Sequence, residues 1–147
     1  MNIAELRKIC TNTLKEGRER FGLATGIVSQ IHDGLYEVIA ADSATGIPHA
    51  GDIYDARGVY CREVIDSKQS VSITKIGDTP GMCLHPLYEI IPCEAYVSSP
   101  IFVDGNIWGT LNYTSFEIRN EPFSADDITY NEDQAARIAV FIKEAEF

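Results

Sequence analysis

Positive charge is what this 147-residue chain has least of: 12 lysines and arginines stand against 22 aspartates and glutamates, a formal net charge of -10. Binding to a phosphate backbone needs concentrated lysine and arginine. The few basic residues here are scattered, so nucleic acid and anionic membrane are poor partners for the surface. Long apolar runs are also missing. Nothing approaches the roughly 20 apolar residues that cross a bilayer. The opening segment, MNIAELRKICTNTLKEGRERFG, is charged throughout and lacks the apolar core of a signal peptide. A cytoplasmic location is the expectation that follows. Four cysteines, Cys10, Cys61, Cys83 and Cys93, form no Cys-x-x-Cys pair. In a reducing compartment they are not a disulfide framework. No repeat, low-complexity tract or linker interrupts the chain, and its length suits one domain over residues 1–147. Such a domain buries roughly 68 to 70% of its unfolded surface and folds without a metal or disulfide.

The pattern that remains is that of an α+β domain with a mainly antiparallel sheet. Ile3, Leu6, Cys10 and Leu14 step by three and four, which marks one face of an N-terminal helix. TGIVSQI and GLYEVIAA flank Asp33-Gly34 and predict a hairpin. ADSATGIPHAGDIYD reads as a loop, ARGVYCREVIDSK as a short helix, SVSITKI as a strand, and HPLYEII as one or two helical turns after another loop. EAYVSSPIFVDGNIWGTLNYTS gives the clearest signal, two extended runs about Asp104-Gly105. A regular two-residue turn there pairs Val103 with Asn106, Phe102 with Ile107, Ser98 with Leu111 and Tyr96 with Tyr113. In that register Tyr96, Ser98 and Tyr113 share one face, while Val97, Ser99, Ile101, Trp108, Thr110 and Asn112 share the other. Both faces are largely apolar, so both should be covered. The last helix opens with a capping box, Ser124 and Asp127, inside a staple of Phe123 and Ile128. Ile128, Ala135, Ile138, Ala139 and Ile142 then mark one helical face. Arg119 is expected to tie the preceding loop to a carboxylate or to backbone carbonyls.

YCREV, HPLY, EAYVSSPIFVDGNIWGTLNYTS and IRNEPFSADD, in this order and spacing, resemble the GAF domain in the form common in bacterial and archaeal sensor kinases. The similarity runs from about Thr25 to the C-terminal helix. It implies a six-stranded antiparallel sheet with the helices of the two chain ends on one face and a ligand pocket on the other. It also implies a regulatory role: such domains sense small molecules or light, or only dimerise, and signal to an attached output domain such as a kinase. The chain itself carries no kinase, cyclase or DNA-binding motif. It departs from many relatives in having Ser98 where they have glycine.

The segment GMCLHPLY raises the chemical question. In pigment-binding relatives a cysteine followed directly by histidine holds a linear tetrapyrrole; here Leu84 separates Cys83 from His85. Cys61, Cys83, His85 and Cys93 match no zinc spacing. A third reading is thiol chemistry, since some enzymes of this fold reduce free methionine sulfoxide with cysteines in this region. A lowered thiol pKa beside His85 or a helix start would serve it, but the glycine- and histidine-rich surroundings are missing. The structural reading of Cys83 and His85, a His-Pro turn beside a buried thiol, carries most weight. The expected ligand-binding set is therefore Tyr60 and Cys61, on the helix that roofs the pocket in the family, with His85, Tyr96, Ser98 and Tyr113. No catalytic residue, metal ligand or cofactor is assigned. A small-molecule sensor is the leading reading, a ligand-free dimerisation or scaffold module the alternative, and a thiol enzyme a minor one. A homodimer is expected on the terminal helices, with Ile3, Leu6, Leu14, Ile138 and Ile142 supplying apolar surface.

Overall fold

The computed structural model describes residues 2–44, 46, 48–56, 62–74 and 94–145. In chain order its elements are α1 (Ile3–Phe21), β1 (Thr25–His32), β2 (Leu35–Ser43), β3 (Ile53–Asp55), α2 (Arg62–Ser67), β4 (Val71–Ile73), β5 (Ala95–Val103), β6 (Asn106–Ser115) and α3 (Ala125–Ala145). The six strands form one sheet in the order β3-β2-β1-β6-β5-β4, with every pairing antiparallel. The class and the six-stranded sheet are those the sequence implied. One strand was not foreseen: β3 lies within the stretch read as loop. Its three residues pair with Leu35, Tyr36 and Glu37 at the sheet edge, too short a run to show an alternation.

Local chemistry sets the helix ends. Asn2 caps α1, accepting from the Glu5 amide while the Glu5 carboxylate takes the Asn2 amide, and Gly22 closes the helix in the left-handed conformation. At α3 the box read from sequence is present. The Asp127 amide donates to Ser124 Oγ at 3.0 Å, and the Ser124 amide to the Asp127 carboxylate at 3.0 Å. Arg119 takes the expected role: its guanidinium donates to the carbonyls of Phe21 and Glu121 and lies over the Phe123 ring.

Both helices lie on one side of the sheet, α1 against β1 and β2 and α3 against β5, and they touch each other. Leu6, Cys10 and Leu14 of α1 and Ala135, Ile138 and Ile142 of α3 meet Val28, Ile39, Val97, Ile101 and Leu111 in the main core. This corrects the residues expected to serve a dimer. Leu6, Leu14, Ile138 and Ile142 have no exposed surface and half-buried Ile3 packs against the same core. These side chains cover the chain's own sheet.

The β5–β6 hairpin turns at Asp104 and Gly105, both with positive φ (53° and 80°), as a primed two-residue turn requires. Val103 pairs with Asn106 and Phe102 with Ile107, but Ile101 then pairs with Gly109, so Trp108 is an extra residue in β6. Beyond this bulge every pairing shifts by one: Ser98 meets Asn112, Val97 meets Tyr113, and Tyr96 meets Thr114. A one-residue slip turns each side chain to the other face. Glycine at 109 permits the close approach of β1, for a Cβ there would run into the Ser29 carbonyl oxygen.

Candidate functional site

The face turned away from α1 and α3 holds a second, smaller core. Tyr36 and Val38 of β2, Ala56 just after β3, and Tyr96 of β5 are buried. Ile27 and Ile31 of β1, Tyr54 of β3, Ile65 of α2, and Val71 and Ile73 of β4 pack around them. Alternation along each strand puts polar side chains among these apolar ones. Ser29, Ser98, Thr110 and Asn112 are all buried. Asn112 Nδ2 donates to the Tyr36 hydroxyl at 3.0 Å and to Thr110 Oγ1 at 3.3 Å. Thr110 Oγ1 and Ser29 Oγ share a hydrogen bond of 2.7 Å, and Ser29 Oγ also accepts the Thr110 amide. Ser98 stands beside Asn112 in the ladder on one side and beside Val71 on the other. The result is a polar row crossing β2, β1, β6 and β5 in an apolar, tyrosine-rich floor. Among the described residues of this row and its small core, none carries a charge.

Of the six residues expected to bind ligand, the structure brings Tyr96 and Ser98 to this face. Tyr113 is on the other one, which corrects the expected grouping. The bulge at Trp108 sends Tyr113 between α1 and the sheet, where its ring packs at 5.1 Å from Phe21 and its hydroxyl donates to the Thr13 carbonyl at 3.4 Å. Gly17 of α1 makes the room, since a Cβ there would overlap the Tyr113 phenol. Burial, aided by Tyr130 and nearby acids, pushes the Tyr113 hydroxyl far up from its ordinary pKa, so it stays neutral. By the same slip Thr110 and Asn112, expected on the helix face, belong to the face turned away from α1 and α3, the open face in the sense that neither terminal helix covers it, though its residues are buried. Tyr60, Cys61 and His85 lie outside the described residues, as do Cys83 and Cys93.

Sequence reasoning missed Tyr36, Ser29, Thr110 and Asn112. Gly109 was the available signal, because an isolated glycine inside a strand pattern marks a bulge or a close backbone approach. Cys10 is the one cysteine among the described residues. It sits in the helix-side core, where burial pushes its thiol up to about 12. A thiol so protonated is no nucleophile or metal ligand at neutral pH. Among the described residues no three His, Cys, Asp or Glu side chains come together as metal ligands would, and no helix is long and apolar enough to cross a membrane.

An antiparallel six-stranded sheet with its terminal helices on one face, and a buried polar row on the other, defines an open-sheet α+β domain. The family model described as GAF domain matches residues 5–142, and the chain belongs to that family. No curated protein matches it. Similar solved structures include the phycoerythrobilin-bound GAF domain of a cyanobacterial phytochrome, at 21% identity and a TM-score of 0.78, covering 98% of this chain and 88% of that one. The blue-light absorbing form of the PixJ GAF domain of Thermosynechococcus elongatus is similar at 18% identity and a TM-score of 0.78, with the same coverage. A type II free methionine-R-sulfoxide reductase from Thermoplasma acidophilum is similar at 12% identity and a TM-score of 0.77, covering 97% and 95%. At these identities the likeness is one of fold.

Proposed function

We propose that this chain is a sensory module that binds a small molecule against the open face of its sheet, over Tyr96, Ser98, Tyr36 and Asn112. The observation that carries the reading is the buried Ser98–Asn112 ladder pair at the centre of that face. Polar groups buried within an apolar floor cost free energy that an apolar core would avoid. A few convergent polar groups among apolar and aromatic walls are the usual make-up of a ligand site. Family membership supports a signalling role, and a kinase or other output domain is the partner we propose for it, in the cytoplasm. Tyr60, Cys61 and His85, outside the described residues, are proposed as further ligand contacts on the family resemblance alone.

One similar structure is bound to phycoerythrobilin, but the Cys83-Leu84-His85 spacing speaks against a covalent pigment, and the purified protein should be colourless. Dimerisation through the terminal helices needs residues other than those first named. On those helices, among the described residues, Val140 is the large apolar side chain left outward, 57% exposed. The test of the sensory reading is native mass spectrometry of protein purified without denaturation, beside the Ser98→Leu variant. A mass in excess of the chain that disappears in a folded Ser98→Leu protein is the expected result. Identical masses, equal to the chain alone, would favour the scaffold reading.

A further inference from the structure

Behind the open face, a chain of hydrogen bonds ties α3 to the strands around Ser98. Asn131, fully buried on α3, donates through Nδ2 to Ser99 Oγ at 2.9 Å and to the Leu111 carbonyl at 3.2 Å. Ser99 Oγ lies 2.8 Å from Ser70 Oγ, and Ser70 Oγ donates to the Glu132 carboxylate at 2.9 Å. The direction of every bond is fixed by chemistry. An amide nitrogen only donates and an ionised carboxylate only accepts. Ser70 therefore gives its proton to Glu132, Ser99 gives its proton to Ser70, and Ser99 accepts from Asn131. The chain leaves α3 at Asn131 and returns to it one residue later.

The attachment points surround Ser98. Ser99 is the next residue of β5. Leu111 precedes Asn112, the ladder partner of Ser98 in β6. Ser70 precedes Val71, the ladder partner of Ser98 in β4. Three strands are thus gripped from the helix side at positions adjoining the one row that faces the proposed ligand. Among the described residues Asn131 Oδ1 is buried with no hydrogen-bond partner, so the side chain is held in this pose at the expense of its own acceptor.

From this we infer that the Asn131–Ser99–Ser70–Glu132 chain couples the open face to α3, with Asn131 and Glu132 as positioning residues for Ser98. A ligand that shifts the backbone at Ser98 or Asn112 moves the anchors of α3 directly, across one sheet thickness. The inference rests on the ligand reading of that face for its purpose, but its test needs no ligand. Ser98→Ala and Asn131→Ser are made singly and together in the full chain, and the unfolding constants are measured in urea. A control cycle pairs Ser98→Ala with Ile142→Val, on the same helix and outside the chain. The first cycle should depart from additivity by about tenfold in the unfolding constant, and the control by less than about twofold. Should Asn131→Ser not fold, Glu132→Gln, at an exposed position, takes its place, with an expected departure of about threefold. Additivity in the test cycle, or an equal departure in the control, overturns the inference. Because no small molecule is added, a failure of ligand binding would leave this result intact, and the reverse holds as well.

Discussion

The two faces of the sheet are made by the same six strands and solve opposite problems. On the helix side Val97, Ile101, Leu111 and Tyr113 meet two amphipathic helices, and the one buried phenol finds a backbone carbonyl of α1. On the open side the same strands present Thr110, Asn112 and Ser29, linked to each other and to Tyr36, with Ser98 beside Asn112 in the ladder. A core built for stability alone would put apolar side chains in both places. The contrast separates Tyr113, packed between α1 and the sheet, from Tyr36 and Tyr96, buried beside the polar row.

The sharpest way to break the comparison is to disturb the bulge that assigns residues to faces. Gly109→Ala would drive a methyl into the Ser29 carbonyl of the neighbouring strand, a backbone atom that cannot step aside. Overpacking against backbone should cost more than about 3 kcal/mol. Urea denaturation should show the loss, and the spectrum of any folded remainder should report disruption on both faces.

Next in size is Ile138→Ala. It removes a fully buried side chain from the helix-side core and should cost about 3 kcal/mol, read as a lower denaturation midpoint. Its effect on the open face should be confined to stability. Ligand affinity at saturating folding conditions should stay near that of the wild type.

Much of this architecture was legible before any coordinates. The hairpin at Asp104-Gly105, the Asn-free capping box of Ser124 and Asp127, and the stripe of Leu6, Cys10 and Leu14 are local signals, each decided by residues within a few positions. The face assignment of β6 was not legible in the same way. It depends on one unpaired residue, Trp108, whose accommodation is decided by contact between Gly109 and a strand about 80 positions earlier (Ser29). Faces counted outward from the turn are right as far as Trp108 and inverted beyond it, which is why Tyr113 was placed with Ser98 and Asn112 was not. β3 escaped notice because three residues at an edge carry no periodicity. The apolar stripes of the terminal helices were legible, but not that these residues cover the chain's own sheet: a stripe facing its own sheet reads the same as one facing a partner.

The smallest effect sharpens the comparison at the helix end that anchors α3. Burial alone would raise the Asp127 carboxyl, but the Ser124 amide and hydroxyl, with Arg20 and Arg119, hold it below the ordinary carboxylate value. A folded-state pKa below the unfolded one adds stability that is complete above about pH 4 and is lost as the pH falls through the folded value. Asp127→Asn should therefore cost about 0.5 kcal/mol at neutral pH. The gap to the wild type should close in acid, and paired urea titrations at the two pH values check this.

The most direct test of the central claim sets one residue of each face against the other. Wild type, Asn112→Leu and Tyr113→Phe are taken through the same thermal-shift screen against a library of small metabolites. Both substitutions remove a buried polar contact and should change stability by only about 1 kcal/mol. Compounds that raise the melting temperature of the wild type should do the same for Tyr113→Phe and lose their effect on Asn112→Leu. Stabilisation that survives Asn112→Leu, or that vanishes with Tyr113→Phe, would contradict the assignment of the open face as the ligand face.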